Sequence, residues 1–106
     1  MRISRIILPA LAAGMVLSTS RIASAQDAGD LYKTKCATCH GADGKGDAPV
    51  GKKLGIRDFH SPEVAKESDQ ELFEITKNGK NKMPKYDGKL TDDQIKALVK
   101  YIRSLK

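Results

Sequence analysis

Thr91-Asp92-Asp93-Gln94-Ile95-Lys96-Ala97-Leu98-Val99-Lys100-Tyr101-Ile102-Arg103-Ser104-Leu105, near the end of the chain, decides the fold class. Ile95, Leu98, Val99, Ile102 and Leu105 recur at the i, i+3, i+4, i+7 spacing that gathers apolar side chains on one face of an α-helix. Thr91 and Gln94 stand three apart at its start, where each side chain can bond the other's backbone N–H. Working back along the chain, Ser68-Asp69-Gln70-Glu71 repeats that start signal. Leu72, Phe73, Ile75 and Thr76 then supply an apolar face, and Asn78-Gly79 ends it. Ser61-Pro62-Glu63 predicts a short helical turn, with Ser61 as cap and Pro62 at the first helical position. A first helix is predicted over about 28–38, with Asp27 as its cap. The segment 41–49 is rich in Gly, Asp and Pro, which excludes regular structure there. Nothing alternates with period two for more than a few residues, so the expected fold is all-α, with three to four helices.

The first residues read differently. Arg2 and Arg5 precede an apolar run from Ile6 to Leu17, interrupted by Pro9 and Gly14, and Ala23-Ser24-Ala25 follows. This order is that of a secretory signal, and the run falls short of the ~20 residues a spanning helix needs. An uncleaved anchor is the alternative, kept open by Arg21 between the run and the cut. The expected division is a signal peptide over residues 1–25, removed, and one domain over 26–106. That domain keeps 16 basic residues against 13 acidic ones, a net charge of +3. The charges are interspersed and no aromatic-basic stripe is present, which gives no nucleic-acid signature. With no Trp, and only two Phe and three Tyr, the chain brings little large apolar surface. A domain this small is marginal without a metal, a disulfide or a cofactor.

The two cysteines of the chain lie in Cys36-Ala37-Thr38-Cys39-His40. On one helical turn the three chemically active side chains emerge on one side. Haem attachment uses this arrangement: the thiols add across two porphyrin vinyl groups and the adjacent imidazole becomes an axial ligand. A zinc site would have to recruit His60, 20 residues beyond His40, a gap that matches no common finger. A thioredoxin-like pair wants a βαβ context. A disulfide across three residues of helix would be strained and staple almost nothing. The reading is one covalently bound haem c per chain, held by Cys36, Cys39 and His40.

Met1 and Met15 fall in the signal, which leaves Met83 as the one thioether of the domain. It lies between Gly79 and Tyr86, among lysines, and Pro84 stiffens the chain beside it. That setting is too polar for a core strand, and Met83 is the expected second axial ligand. His60 is the competitor; its place before Ser61-Pro62 points to a surface cap. A neutral, soft sulfur favours ferrous iron and raises the potential relative to two imidazoles. Leu54, Ile56, Phe59, Leu72, Ile75, Tyr86, Leu90, Leu98 and Ile102 are the pocket candidates by pattern.

These features resemble the class I cytochromes c, in particular the small bacterial monohaem carriers, over essentially the whole of residues 26–106. The resemblance rests on C-x-x-C-H near the start, the Met83-Pro84 pair, and the final helix from Ile95 to Leu105. It implies a first and a last helix that touch through Tyr32, Tyr101 and either Gly29 or Ala28. It implies a Pro carbonyl on the ligand histidine's N–H, for which Pro49 is the available residue. The usual Trp near a propionate is missing, which leaves Tyr86, lysines and backbone donors for that contact. The function implied is single-electron transfer by an exported, periplasmic, monomeric carrier that is no enzyme. Lys77, Lys80, Lys82, Lys85 and Lys89 would form a positive rim for redox partners with acidic docking surfaces. The alternatives are a haem enzyme or gas sensor with a displaceable sixth ligand, and a haem module tethered by an uncut signal.

Overall fold

The structure, a computed structural model, describes residues 9–16 and 25–105. Its last helix forms as the sequence dictates. In α6 (Asp92–Ser104) the Gln94 N–H donates to Thr91 Oγ1 at 3.1 Å and the Thr91 N–H to Gln94 Oε1 at 2.9 Å. The buried face of this helix is Ile95, Leu98 and Val99.

Five more helices precede it: α1 (Ala25–Lys35), α2 (Ala37–His40), α3 (Pro49–Leu54), α4 (Pro62–Lys66) and α5 (Asp69–Asn78). Among the described residues there is no strand, only isolated bridges pairing Lys80 with Met83 and Asp87 with Leu90. The all-α expectation holds, but the described residues form six helices instead of three to four, the added ones being short. The predicted first helix breaks at Cys36, and Asp27 lies inside its first turn instead of capping it. Segment 41–48 is irregular as expected, yet Pro49 opens α3. Pro49 stands at its first position and Gly55 ends it in the left-handed region, with φ of 67°. Both are ordinary start and stop residues for a helix. At α5 the capping box is half made. Ser68 Oγ accepts from the Glu71 N–H at 3.1 Å, and no return bond from Glu71 forms among the described residues.

Helices α1 and α6 pack at Gly29 and Tyr101: a Cβ at Gly29 would lie 3.3 Å from the Tyr101 ring. Tyr32 meets the same ring, centroids 5.3 Å apart and planes tilted 46°. Of the two close-approach residues implied by the resemblance, Gly29 fills the role. One core cluster joins Tyr32, Leu90, Ile95 and Leu98; a second joins Val64, Leu72 and Val99, and Phe59 and Phe73 touch both. Arg103 closes the assembly from the outside. It donates to Asp69 at 3.0 Å, to the Val64 carbonyl at 3.2 Å and to the Glu67 carbonyl, tying α6 to the junction of α4 and α5. The signal-peptide reading lies largely outside the described residues. Residues 9–16 have no helix, and the predicted cut after Ala25 falls at the first residue of α1.

Candidate cofactor site

The attachment turn is a break between two helices. Cys36 keeps a right-handed backbone but with φ stretched to −119°, and the N–H groups of Cys39 and His40 both turn to its carbonyl, at 3.2 and 2.9 Å. Gly41 ends α2 at φ 81°, in a region that an L side chain would resist. Two phenols grip the ends of this turn. Tyr32 donates to the Gly41 carbonyl at 2.6 Å, and Tyr86 donates to the Lys35 carbonyl at 2.9 Å. From below, α3 presses on it: a Cβ at Gly51 would sit 2.1 Å from the Cys39 carbonyl oxygen. None of these contacts was legible beforehand, because each joins residues with no periodic or motif relation.

Cys36 and Cys39 are free thiols, both half-buried, and no disulfide joins them. Burial pushes the Cys36 thiol up to about 11, with Cys39 adding to the shift and Lys35 opposing it. The His40 ring stacks on Phe59, centroids 4.6 Å apart. Burial lowers its pKa, which favours the neutral imidazole that ligates metals. Its Nδ1 is buried without a hydrogen-bond partner, so the Pro49 contact implied by the resemblance does not form. Among the described residues no group of three or more His, Cys, Asp or Glu side chains gathers in a cluster. Two unpaired thiols and a neutral, unpartnered imidazole on one turn do fit covalent haem.

Met83 stands half-buried in a tight turn. Lys80 and Met83 exchange backbone hydrogen bonds at 3.2 and 2.9 Å across Asn81 and Lys82, and Asn81 takes φ 54°. The turn closes against the end of α5 only because residue 79 is glycine: a Cβ there would lie 2.7 Å from the Met83 carbonyl oxygen. His60 is exposed and committed elsewhere, its Nδ1 2.7 Å from Asp58 and its Nε2 3.1 Å from the Leu105 carbonyl. Ser61, not His60, caps α4.

Among the pocket candidates, Leu72, Leu90 and Leu98 are buried within the protein's own core, whereas Leu54 is 37 % exposed. Tyr86 gives its hydroxyl to Lys35 and so does not offer it to a propionate. Lys77 leaves the expected rim: it pairs with Asp92 at 3.1 Å and lies over the Phe73 ring. Lys80, Lys82 and Lys85 are exposed and make no ion pair among the described residues, and Lys89 stands over the Tyr86 ring.

Residues 23–102 match the family model described as cytochrome c oxidase, cbb3-type, subunit III. The chain is 32% identical over 79 residues to the cytochrome bc1 complex cytochrome c subunit of Corynebacterium efficiens, covering 74% of this chain and 25% of that relative. The chain thus spans about a quarter of the length of the bc1-complex relatives it matches. Cytochrome c6 of Leptolyngbya boryana is 31% identical over 80 residues, which cover 76% of this chain and 91% of the relative. Among solved structures, the KustC0563 c-type cytochrome superposes with a TM-score of 0.69 at 38% identity, over 74% of this chain and 96% of that one. The chain belongs to the cytochrome c family, through the family described as cytochrome c oxidase, cbb3-type, subunit III, and its cofactor is covalently bound haem c.

Proposed function

We propose that Cys36 and Cys39 would bond the haem, that His40 and Met83 would ligate its iron, and that the chain shuttles single electrons in the periplasm as a monomer. The carrying observation is the attachment turn itself, where two free thiols and a histidine whose buried Nδ1 has no hydrogen-bond partner share four helical residues and the residue before them. When bound, the haem supplies a one-electron couple between ferric and ferrous iron. The protein's part is to hold the two ligand segments still. Tyr32 and Tyr86 fix the ends of the attachment turn, and Gly79 with Pro84 confines Met83. Met83 would offer the iron a neutral thioether, which would favour the ferrous state and leave small oxidants no open place on the metal. The order of basic residues, apolar run and Ala23-Ser24-Ala25 supports export with release after Ala25.

Lys80, Lys82, Lys85 and Lys89 supply the positive rim, without Lys77, and the partners it suits carry acidic docking surfaces.

Oxidised and reduced absorbance spectra of the purified holoprotein test the ligand set. The expected result is low-spin iron with the long-wavelength methionine-to-iron band in the oxidised form, lost in Met83→Ala and kept in His60→Ala. High-spin iron, or ready carbon monoxide binding by the reduced form, would instead mark a displaceable ligand and a haem enzyme or gas sensor.

A further inference from the structure

The two phenols that grip the attachment turn differ in reach. Tyr32 acts from the helix that leads into the turn, whereas Tyr86 acts from 51 residues further along the chain. Its acceptor is available because of the break at Cys36. In a continuous helix the Cys39 N–H would bond the carbonyl four residues back, that of Lys35. Here it bonds Cys36 instead, and the Lys35 carbonyl becomes one of the acceptors that a terminating helix leaves over.

Tyr86 lies three residues past Met83, where the methionine segment rejoins the body of the protein. Its N–H donates to the Thr76 carbonyl at 3.2 Å, and its ring packs against the cluster of Tyr32, Leu90, Ile95 and Leu98. On the other side of Met83 the segment is held at Gly79, whose N–H bonds the Ile75 carbonyl at 2.8 Å. Between these anchors the backbone bonds of Lys80 and Met83 go to each other. Among the described residues, the Tyr86 hydroxyl therefore makes the one hydrogen bond from this segment to the chain around the attachment turn.

We infer that Tyr86 is a positioning residue, whose hydrogen bond to the Lys35 carbonyl holds the Met83 segment against the attachment turn and sets how readily Met83 yields to an outside ligand. The inference rests on the reading of Met83 as sixth ligand. Departure of Met83 that lifts its segment as far as Tyr86 costs this bond. Without the hydroxyl that cost disappears, while the ring still packs.

The test is an imidazole titration of the oxidised holoprotein, read as loss of the methionine-to-iron band. In Tyr86→Phe the imidazole concentration at half-displacement is expected to fall about fivefold, the worth of one net hydrogen bond. Val99→Ala, which thins the second core cluster away from this bond, is expected to keep the wild-type midpoint despite a lower melting temperature. An unchanged midpoint in Tyr86→Phe overturns the inference, and so does an equal fall in Val99→Ala, which would make the effect one of general stability. The ligand reading is checked separately by Met83→Ala: persistence of the band there removes Met83 as ligand, whatever Tyr86→Phe does.

Discussion

Tyr32 donates its phenolic hydrogen to the Gly41 carbonyl oxygen across 2.6 Å, with the tyrosine side chain fully buried. The bond spans the whole of Cys36–His40, from the middle of α1 to the residue that ends α2. Burial raises the phenol's pKa, with Cys36, Tyr101 and Asp43 adding to the shift, which favours the protonated donor. Tyr32→Phe would keep the ring against Tyr101 and leave the Gly41 carbonyl without this donor. The expected loss is about 1–3 kcal/mol, read from urea unfolding of the holoprotein, with the haem spectrum unchanged.

Two glycines make opposite predictions. At Gly51 a Cβ would lie 2.1 Å from the Cys39 carbonyl oxygen, a backbone atom that cannot step aside. Gly51→Ala should therefore separate α3 from the attachment turn and sharply lower the yield of covalently loaded protein, measured by intact mass. At Gly29 the neighbour is the Tyr101 ring at 3.3 Å. That side chain can give by a few tenths of an ångström, and the exchange gains about 1 kcal/mol of helix propensity. Gly29→Ala should stay within about 1 kcal/mol of wild type, and a large loss would mean that the α1–α6 contact is far stiffer than its geometry implies.

Leu98 is 1% exposed and belongs to the cluster that binds α1 to α6. Leu98→Ala is expected to cost about 2–5 kcal/mol. Tyr32, Ile95 and Leu98 are the largest fully buried side chains among the described residues, a small inventory for a domain of this length. Replacing both Cys36 and Cys39 by Ala should leave a largely unfolded chain by far-ultraviolet circular dichroism. A well-ordered helical apoprotein would show that the haem is not needed for the core.

The lysines near Met83 divide by their partners. Lys77 is tied to Asp92, so Lys77→Gln should lower stability slightly and leave association with a redox partner unchanged. Among the described residues Lys80, Lys82 and Lys85 make no ion pair, and their joint replacement by Gln should slow association and flatten its salt dependence. Equal salt dependence in the triple variant would dismiss the positive rim.

Asp58 is held below the usual carboxylate range, first by the His60 backbone N–H and then by the His60 ring. A depressed carboxylate contributes stability above its unfolded pKa and loses it as pH falls through the folded value. Acid unfolding should therefore show wild type more stable than Asp58→Asn at neutral pH, with the difference closing below roughly pH 4.

Residues that signal locally carried most of the fold. Thr91 and Gln94 announced α6, Ser68 announced α5, and the apolar spacing from Ile95 to Leu105 chose helix over strand. Pro49 and Gly55 marked α3 just as plainly, but the glycines before them masked the signal. The half-made box at Ser68 shows the limit of pattern: Glu71 has the right spacing, yet its return bond is absent.

The sequence by itself determined the helical class, the thiols and imidazole on one turn, and the lone thioether of residues 26–106, because spacing along the chain sets which side chains share a helix face. Tertiary structure alone decided what holds them. That Tyr32 reaches Gly41, that Tyr86 reaches Lys35 and that Lys77 is spent on Asp92 depends on how helices and loops meet in space. A hydrogen bond has a range of about 3 Å, and no separation counted in residues fixes such a distance.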